Sequence, residues 1–131
     1  MDSIKLPKLK IGEIETDIPI IQGGMGVGIS QSSLASAVAN EGGLGVIASV
    51  GLNKAKGYPG NYIESSSRAL KDEIRLARSK MSERGFLGVN ILHVLSNYSE
   101  LVQASVEENI DFIISGAGIP KDLPKYLRTD S

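Results

Sequence analysis

Four short apolar runs, each leaving into glycine or a small polar residue, limit what this chain can fold into. The first is Asp17-Ile18-Pro19-Ile20-Ile21-Gln22, followed by Gly23-Gly24-Met25-Gly26-Val27-Gly28. The second is Leu44-Gly45-Val46-Ile47-Ala48-Ser49 and the third Phe86-Leu87-Gly88-Val89-Asn90-Ile91. The fourth, Asp111-Phe112-Ile113-Ile114-Ser115, ends in Gly116-Ala117-Gly118. Runs this apolar, without polar alternation, read as buried strands with both faces covered.

The segments between them carry a helical period. Leu34, Ala37, Val38 and Glu41 follow Ser30, a candidate cap, and Gly42-Gly43 stops that helix. From Arg68 to Arg84 the stripe is Leu70, Ile74, Ala77 and Met81. The basic residues there, mixed with Asp72, Glu73 and Glu83, read as a solvated helix face. Ser99 to Glu108 turns Leu101, Val102, Ser105 and Val106 inward, and Asn109 can end it in a left-handed conformation. A last helix is expected over Pro120 to Leu127. Residues 50–67 read as one long loop, and residues 4–16 as a short hairpin or extended lead-in around Gly12. Strands alternating with helices mean βαβ units, a parallel sheet and right-handed crossovers.

Composition removes several functions. The chain has 131 residues, 14 Lys plus Arg and 15 Asp plus Glu, so no net basic charge suits it to nucleic acid. It has no cysteine and one histidine, which excludes a disulfide framework, a thiolate zinc site and a cysteine nucleophile. No apolar run approaches the ~18 residues of a membrane span, and no secretory signal opens the chain. A cytoplasmic location is the expectation.

In parallel α/β folds ligands bind at the carboxyl ends of the strands. Those ends carry Gln22, Gly23, Gly24 and Met25, then Ser49 and Gly51, then Asn90, then Ser115, Gly116, Ala117 and Gly118. No carboxylate, Lys or Arg sits at any of them. Glycine permits close backbone approach, and amides and hydroxyls give directed hydrogen bonds without charge. A flat heteroaromatic cofactor uses such groups. At any one end a tight turn explains the glycine, whereas four ends together favour a ligand. The loose match Gly43-Leu44-Gly45-Val46-Ile47-Ala48 to a dinucleotide fingerprint enters a strand rather than leaving one, so its context is wrong. His93, at the exit of the third run, has no strand-end carboxylate to orient it as a base and fits a loop-packing role better.

The run Ile18 to Gly28 resembles the opening of the nitronate monooxygenase family, formerly called 2-nitropropane dioxygenase, and is also similar to the flavin-dependent enoyl-acyl-carrier-protein reductases. The resemblance continues through Asn40-Glu41-Gly42-Gly43-Leu44-Gly45-Val46-Ile47-Ala48, Gly88-Val89-Asn90-Ile91, Ser96-Asn97-Tyr98 and Ser115-Gly116-Ala117-Gly118-Ile119-Pro120. It implies an FMN-dependent oxidoreductase on a TIM (β/α)8 barrel. It further implies that Gln22, Gly23, Gly24, Met25, Asn90, Ser115 and Gly116 border the flavin, with Ser49 a weaker candidate.

A full barrel takes roughly 250 residues. The expectation is therefore an α/β chain forming a (βα)4 half-barrel, with a lead-in hairpin over 1–16 and four βα units over 17–131. The family's phosphate-binding loops and its Gly-Gly-His segment belong to the other half of the barrel, so no catalytic base is assigned and His93 does not inherit the role. Three functions compete: an oxidoreductase acting on alkyl nitronates or nitroalkanes with O2, an enoyl-reductase-like flavoenzyme, and a non-catalytic half-barrel. The uncharged runs at both sheet edges lead us to expect a homo-oligomer, or completion by a C-terminal half-barrel.

Overall fold

A computed structural model describes residues 3–127. The expected span to residue 131 therefore runs slightly beyond the described residues. The chain opens with an antiparallel hairpin, β1 (Leu9–Ile11) and β2 (Ile14–Thr16), paired Leu9 to Thr16 across Gly12. It continues through α1 (Ser32–Asn40), β3 (Leu44–Ala48), α2 (Leu52–Ala55), α3 (Tyr62–Lys80), β4 (Phe86–Leu92), α4 (Tyr98–Glu107) and β5 (Phe112–Gly116). A 3-10 turn, Leu123–Tyr126, stands where Pro120 to Leu127 was expected to begin a last helix. No described helix is long and apolar enough to cross a membrane.

Three strands make the sheet, in the order β3-β4-β5, all parallel. The expected first strand does not form as a buried strand. Its segment contributes a single parallel bridge, Ile21 to Leu44, and Ile20 and Ile21 are 58% and 44% exposed. The Ile20 N–H, which in this register would face β3, is turned back onto Ile18 C=O at 2.8 Å. Backbone pairing is limited to Leu44 N–H with Ile20 C=O and Gln22 N–H with Leu44 C=O, at 2.9 and 3.0 Å. The outcome is a mixed α/β fold on a three-stranded parallel sheet, coarser than a complete (βα)4 half-barrel.

Side chains alternate across a strand. Leu87, Val89 and Ile91 of β4, with Ile47 of β3, join Leu70, Ile74 and Ala77 of α3 and Leu101 and Val102 of α4 in one buried cluster. Burying each large aliphatic side chain stabilises the fold by about 1.5–3 kcal/mol. α1 lies so close to β3 that a Cβ on Gly45 would overlap the Ala35 carbonyl. The alternate residues Gly88, Asn90 and Leu92, with Phe112, Ile114 and Gly116 of β5, are left on the helix-free face. Every residue of β5 is half-buried, as suits an outermost strand.

The long loop expected over residues 50–67 is largely helical. Asn61 accepts the Glu64 N–H and starts α3 earlier than the apolar stripe indicates. Ser65 and Ser66 are buried in its first turns, and Ser65 accepts a hydrogen bond from Asn53 of α2. Three serines in a row look like a loop by propensity, but here tertiary burial decides. The basic face of α3 is exposed yet not merely solvated. Lys71 pairs with Glu107, Arg75 with Glu108 at 2.6 Å and Arg78 with Asp111 at 3.0 Å, which ties α3 to the end of α4.

α1 shows a further difference. Its N-cap is Gln31, without a side-chain cap, and not Ser30. The Ser32 N–H instead donates to Glu73 Oε1 of α3 at 2.7 Å, and Glu73 Oε2 lies 3.2 Å from Lys56 Nζ. Burial alone raises the Glu73 pKa. The hydrogen bonds from Ser32 and the Lys56 ammonium outweigh that and hold the carboxyl below the usual glutamate value.

Candidate functional site

The loop after Ile21 crosses the carboxyl end of β3 and reaches β4. Ser30, 2% exposed, is its anchor. The Ser30 hydroxyl accepts the Met25 N–H at 2.9 Å and donates to Gly23 C=O at 3.2 Å, while Ser30 N–H donates to Met25 C=O. The Val27 N–H donates to Val50 C=O at 2.8 Å, and Ala48 N–H to Ser30 C=O at 3.0 Å. At Gly24 the backbone passes directly over Asn90. A Cβ there would sit 2.7 Å from the Asn90 Cβ, so only glycine permits the approach.

The sequence-predicted residues fall into two groups. Gly23, Gly24, Met25, Asn90 and Gly116 present backbone or side chain toward the carboxyl end and the helix-free face. Asn90 Nδ2 makes one long hydrogen bond, 3.3 Å, to Ile114 C=O. Among the described residues the N–H groups of Gly23, Gly24, Ala117 and Gly118 donate to no partner, and all four residues are exposed. That leaves free neutral donors on two loops at this end, with the first of them over the Asn90 amide.

The side chains of Gln22, Ser49 and Ser115 are engaged elsewhere. Gln22 is bonded to β3 through its own amide. The Ser49 hydroxyl donates to Asn90 C=O at 3.0 Å and is 5% exposed. The Ser115 hydroxyl lies 2.9 Å from the Tyr98 phenol, on the helix-facing side of β5. These three side chains already hold strand ends in place. His93 packs as expected for a loop residue: its ring sits 4.7 Å from that of Tyr98, and its N–H donates to Gly116 C=O.

Sequence reasoning missed two features of this end. One is Asn97, which is fully buried with neither amide atom bonded among the described residues. The other is the turn Gly26–Ile29, closed by Ile29 N–H to Gly26 C=O at 3.4 Å, with φ of 57° at Val27 and 78° at Gly28. Both central residues have positive φ, the pattern of a I′ turn, which favours Asn-Gly. A β-branched residue there is strained by about 1–3 kcal/mol. Nothing local in Met25-Gly26-Val27-Gly28 signals that the valine joins Gly28 at positive φ.

The donor set fits a flavin. Free backbone N–H groups and an amide match the polar edge of an isoalloxazine, and Met25, 63% exposed, offers an apolar contact for its face. A comparison with curated proteins gives no match. The model of the family described as nitronate monooxygenase matches residues 8–121, which takes in the hairpin, all three sheet strands and every strand-end loop just described. This chain belongs to the nitronate monooxygenase family.

Proposed function

We propose that this chain forms the flavin-facing part of an FMN-dependent oxidoreductase that oxidises alkyl nitronates with O2. The observation that carries the reading is the pairing of Gly24 with Asn90 beneath free N–H groups on two loops, in a chain of this family. Gly23, Gly24, Met25, Asn90 and Gly116 would hold the cofactor, which when bound supplies the electron-accepting centre.

The residues themselves supply neutral hydrogen bonds, an apolar wall and a fixed loop. They supply no carboxylate or amine. Segments 18–40, 42–53, 85–99 and 112–120, which hold every strand end, contain no Asp, Glu, Lys or Arg. A nitroalkane must lose its α-proton to a base before oxidation. A nitronate has already lost it, and its oxygens can accept from backbone N–H groups. The free backbone N–H groups at this mouth suit the oxygens of an alkyl nitronate.

The test is titration of the purified protein with FMN, followed by absorbance and flavin fluorescence, then O2 uptake with ethylnitronate and nitroethane compared. Saturable FMN binding and uptake with the nitronate are expected. A protein that leaves FMN free in solution would refute the reading.

A further inference from the structure

We propose that Val27 is a substrate-contact residue that receives the alkyl portion of the nitronate, at the head of an apolar rim around the mouth. The inference rests on the function proposed above and deepens it by naming what the rim recognises.

The first observation is the strained turn. Val27 holds φ 57° at a position that glycine or asparagine would occupy without penalty. Packing does not demand the valine, because it is 71% exposed. The fold uses its backbone, through Val27 N–H to Val50 C=O, and the base of its side chain lies beside Gly51 while the rest faces solvent. A side chain that strains the backbone and is mostly exposed gives the fold little in return for that strain. Strain of this kind concentrates where a binding site uses it.

The second observation is what surrounds it. Met25 and Ile29, on the same loop, are 63% and 61% exposed, and Val94 and Ile119, on the loops after β4 and β5, are 72% and 73% exposed. The three loops touch: Gly24 lies on Asn90, and a Cβ on Gly118 would fall 2.7 Å from His93 Nδ1. Each presents a large apolar side chain at the carboxyl end, in segments that carry no charge. A headgroup bearing phosphate or carboxylate finds no cation here, whereas an alkyl chain extending from a group held at the free N–H donors meets only apolar side chains.

Val27→Gly, Val27→Asn and Val27→Thr separate the contact from the strain. The probes are 1-nitrohexane and nitroethane in their neutral, unreactive forms, with hexan-1-ol as the alkyl group alone. Binding is read by NMR shifts on the FMN-supplemented protein, and stability by thermal unfolding. Val27→Gly and Val27→Asn are expected to raise the midpoint by about 4 °C while weakening 1-nitrohexane about tenfold and nitroethane little. Val27→Thr keeps the branched, strained backbone, so its midpoint should hold while 1-nitrohexane still weakens. Unchanged 1-nitrohexane affinity in all three variants would overturn the proposal. So would a lower midpoint in Val27→Gly, since the valine would then serve the fold. If hexan-1-ol and 1-nitrohexane bind and are weakened by the substitutions while the FMN-supplemented protein takes up no O2 with ethylnitronate, the apolar contact stands and the nitronate reading fails.

Discussion

The side-chain amide of Gln22 hydrogen-bonds both backbone groups of Val46: Oε1 accepts the Val46 N–H at 2.9 Å and Nε2 donates to Val46 C=O at 3.0 Å. The amide thus takes the place of the next residue of a strand. Backbone pairing stops at Leu44, and the side chain carries the ladder one step further while the main chain turns away as Gly23-Gly24. Gln22 is therefore a positioning residue for the loop over Asn90.

Removing that amide should expose the role. Gln22→Ala leaves a part-buried N–H and C=O on Val46 without partners and is expected to cost about 1–3 kcal/mol in urea unfolding. Hydrogen exchange at the Val46 amide should accelerate in the variant. Exchange that stays as slow as in the parent would show that another group protects it.

Glu73 makes stability depend on pH. Its folded-state pKa lies below the ordinary glutamate value of 4.5, so its contribution is complete above that value. It is lost as pH falls through the lower folded pKa, because protonation removes the charge that strengthens the Ser32 hydrogen bond and pairs with Lys56. Glu73→Gln should lower stability by about 1.5–3 kcal/mol at neutral pH and flatten the acid side of the urea-midpoint profile. A variant with the parent's acid slope would assign that slope to other carboxylates.

Two glycines should differ in their tolerance of alanine. At Gly45 the new Cβ meets the Ala35 main chain of α1, which cannot step aside without moving the helix. At Gly88 the nearest atoms belong to the Phe112 ring, which can rotate on the half-buried edge strand. Gly45→Ala is expected to cost more than about 3 kcal/mol or prevent folding, and Gly88→Ala about 1–3 kcal/mol. Combining Gly88→Ala with Phe112→Leu should recover part of the loss, read as a coupling in a double-mutant cycle.

The Ser115 hydroxyl belongs to the Tyr98 phenol. Tyr98→Phe and Ser115→Ala should each cost about 0.5–1.5 kcal/mol and, made together, little more than either alone. FMN affinity should be unchanged in Ser115→Ala. A large loss of affinity there would return the hydroxyl to the cofactor site.

Sequence alone determined the alternation of strands and helices, the hairpin around Gly12, the ends of β3, β4, α4 and β5 to within a residue or two, and the uncharged strand ends. These features rest on local signals: unbroken apolar runs, a 3.6-residue stripe and glycine punctuation, each readable without knowing a neighbour in space. Tertiary structure decided the rest. Whether Ile18 to Gln22 becomes a strand depends on how many main-chain groups it offers across to Leu44 and Val46, and the Ile20 N–H turned back onto Ile18, with a side-chain substitute at Gln22, settled that. Whether Ser65 and Ser66 lie in a loop or a helix depends on Asn53 and on their burial. Which side chains at the strand ends remain free depends on partners far along the chain: Val46 for Gln22, Asn90 for Ser49 and Tyr98 for Ser115. Pairing of polar groups is a long-range condition, and that is why a residue list gives the chemistry available at a site, while only the fold shows which of it is already in use.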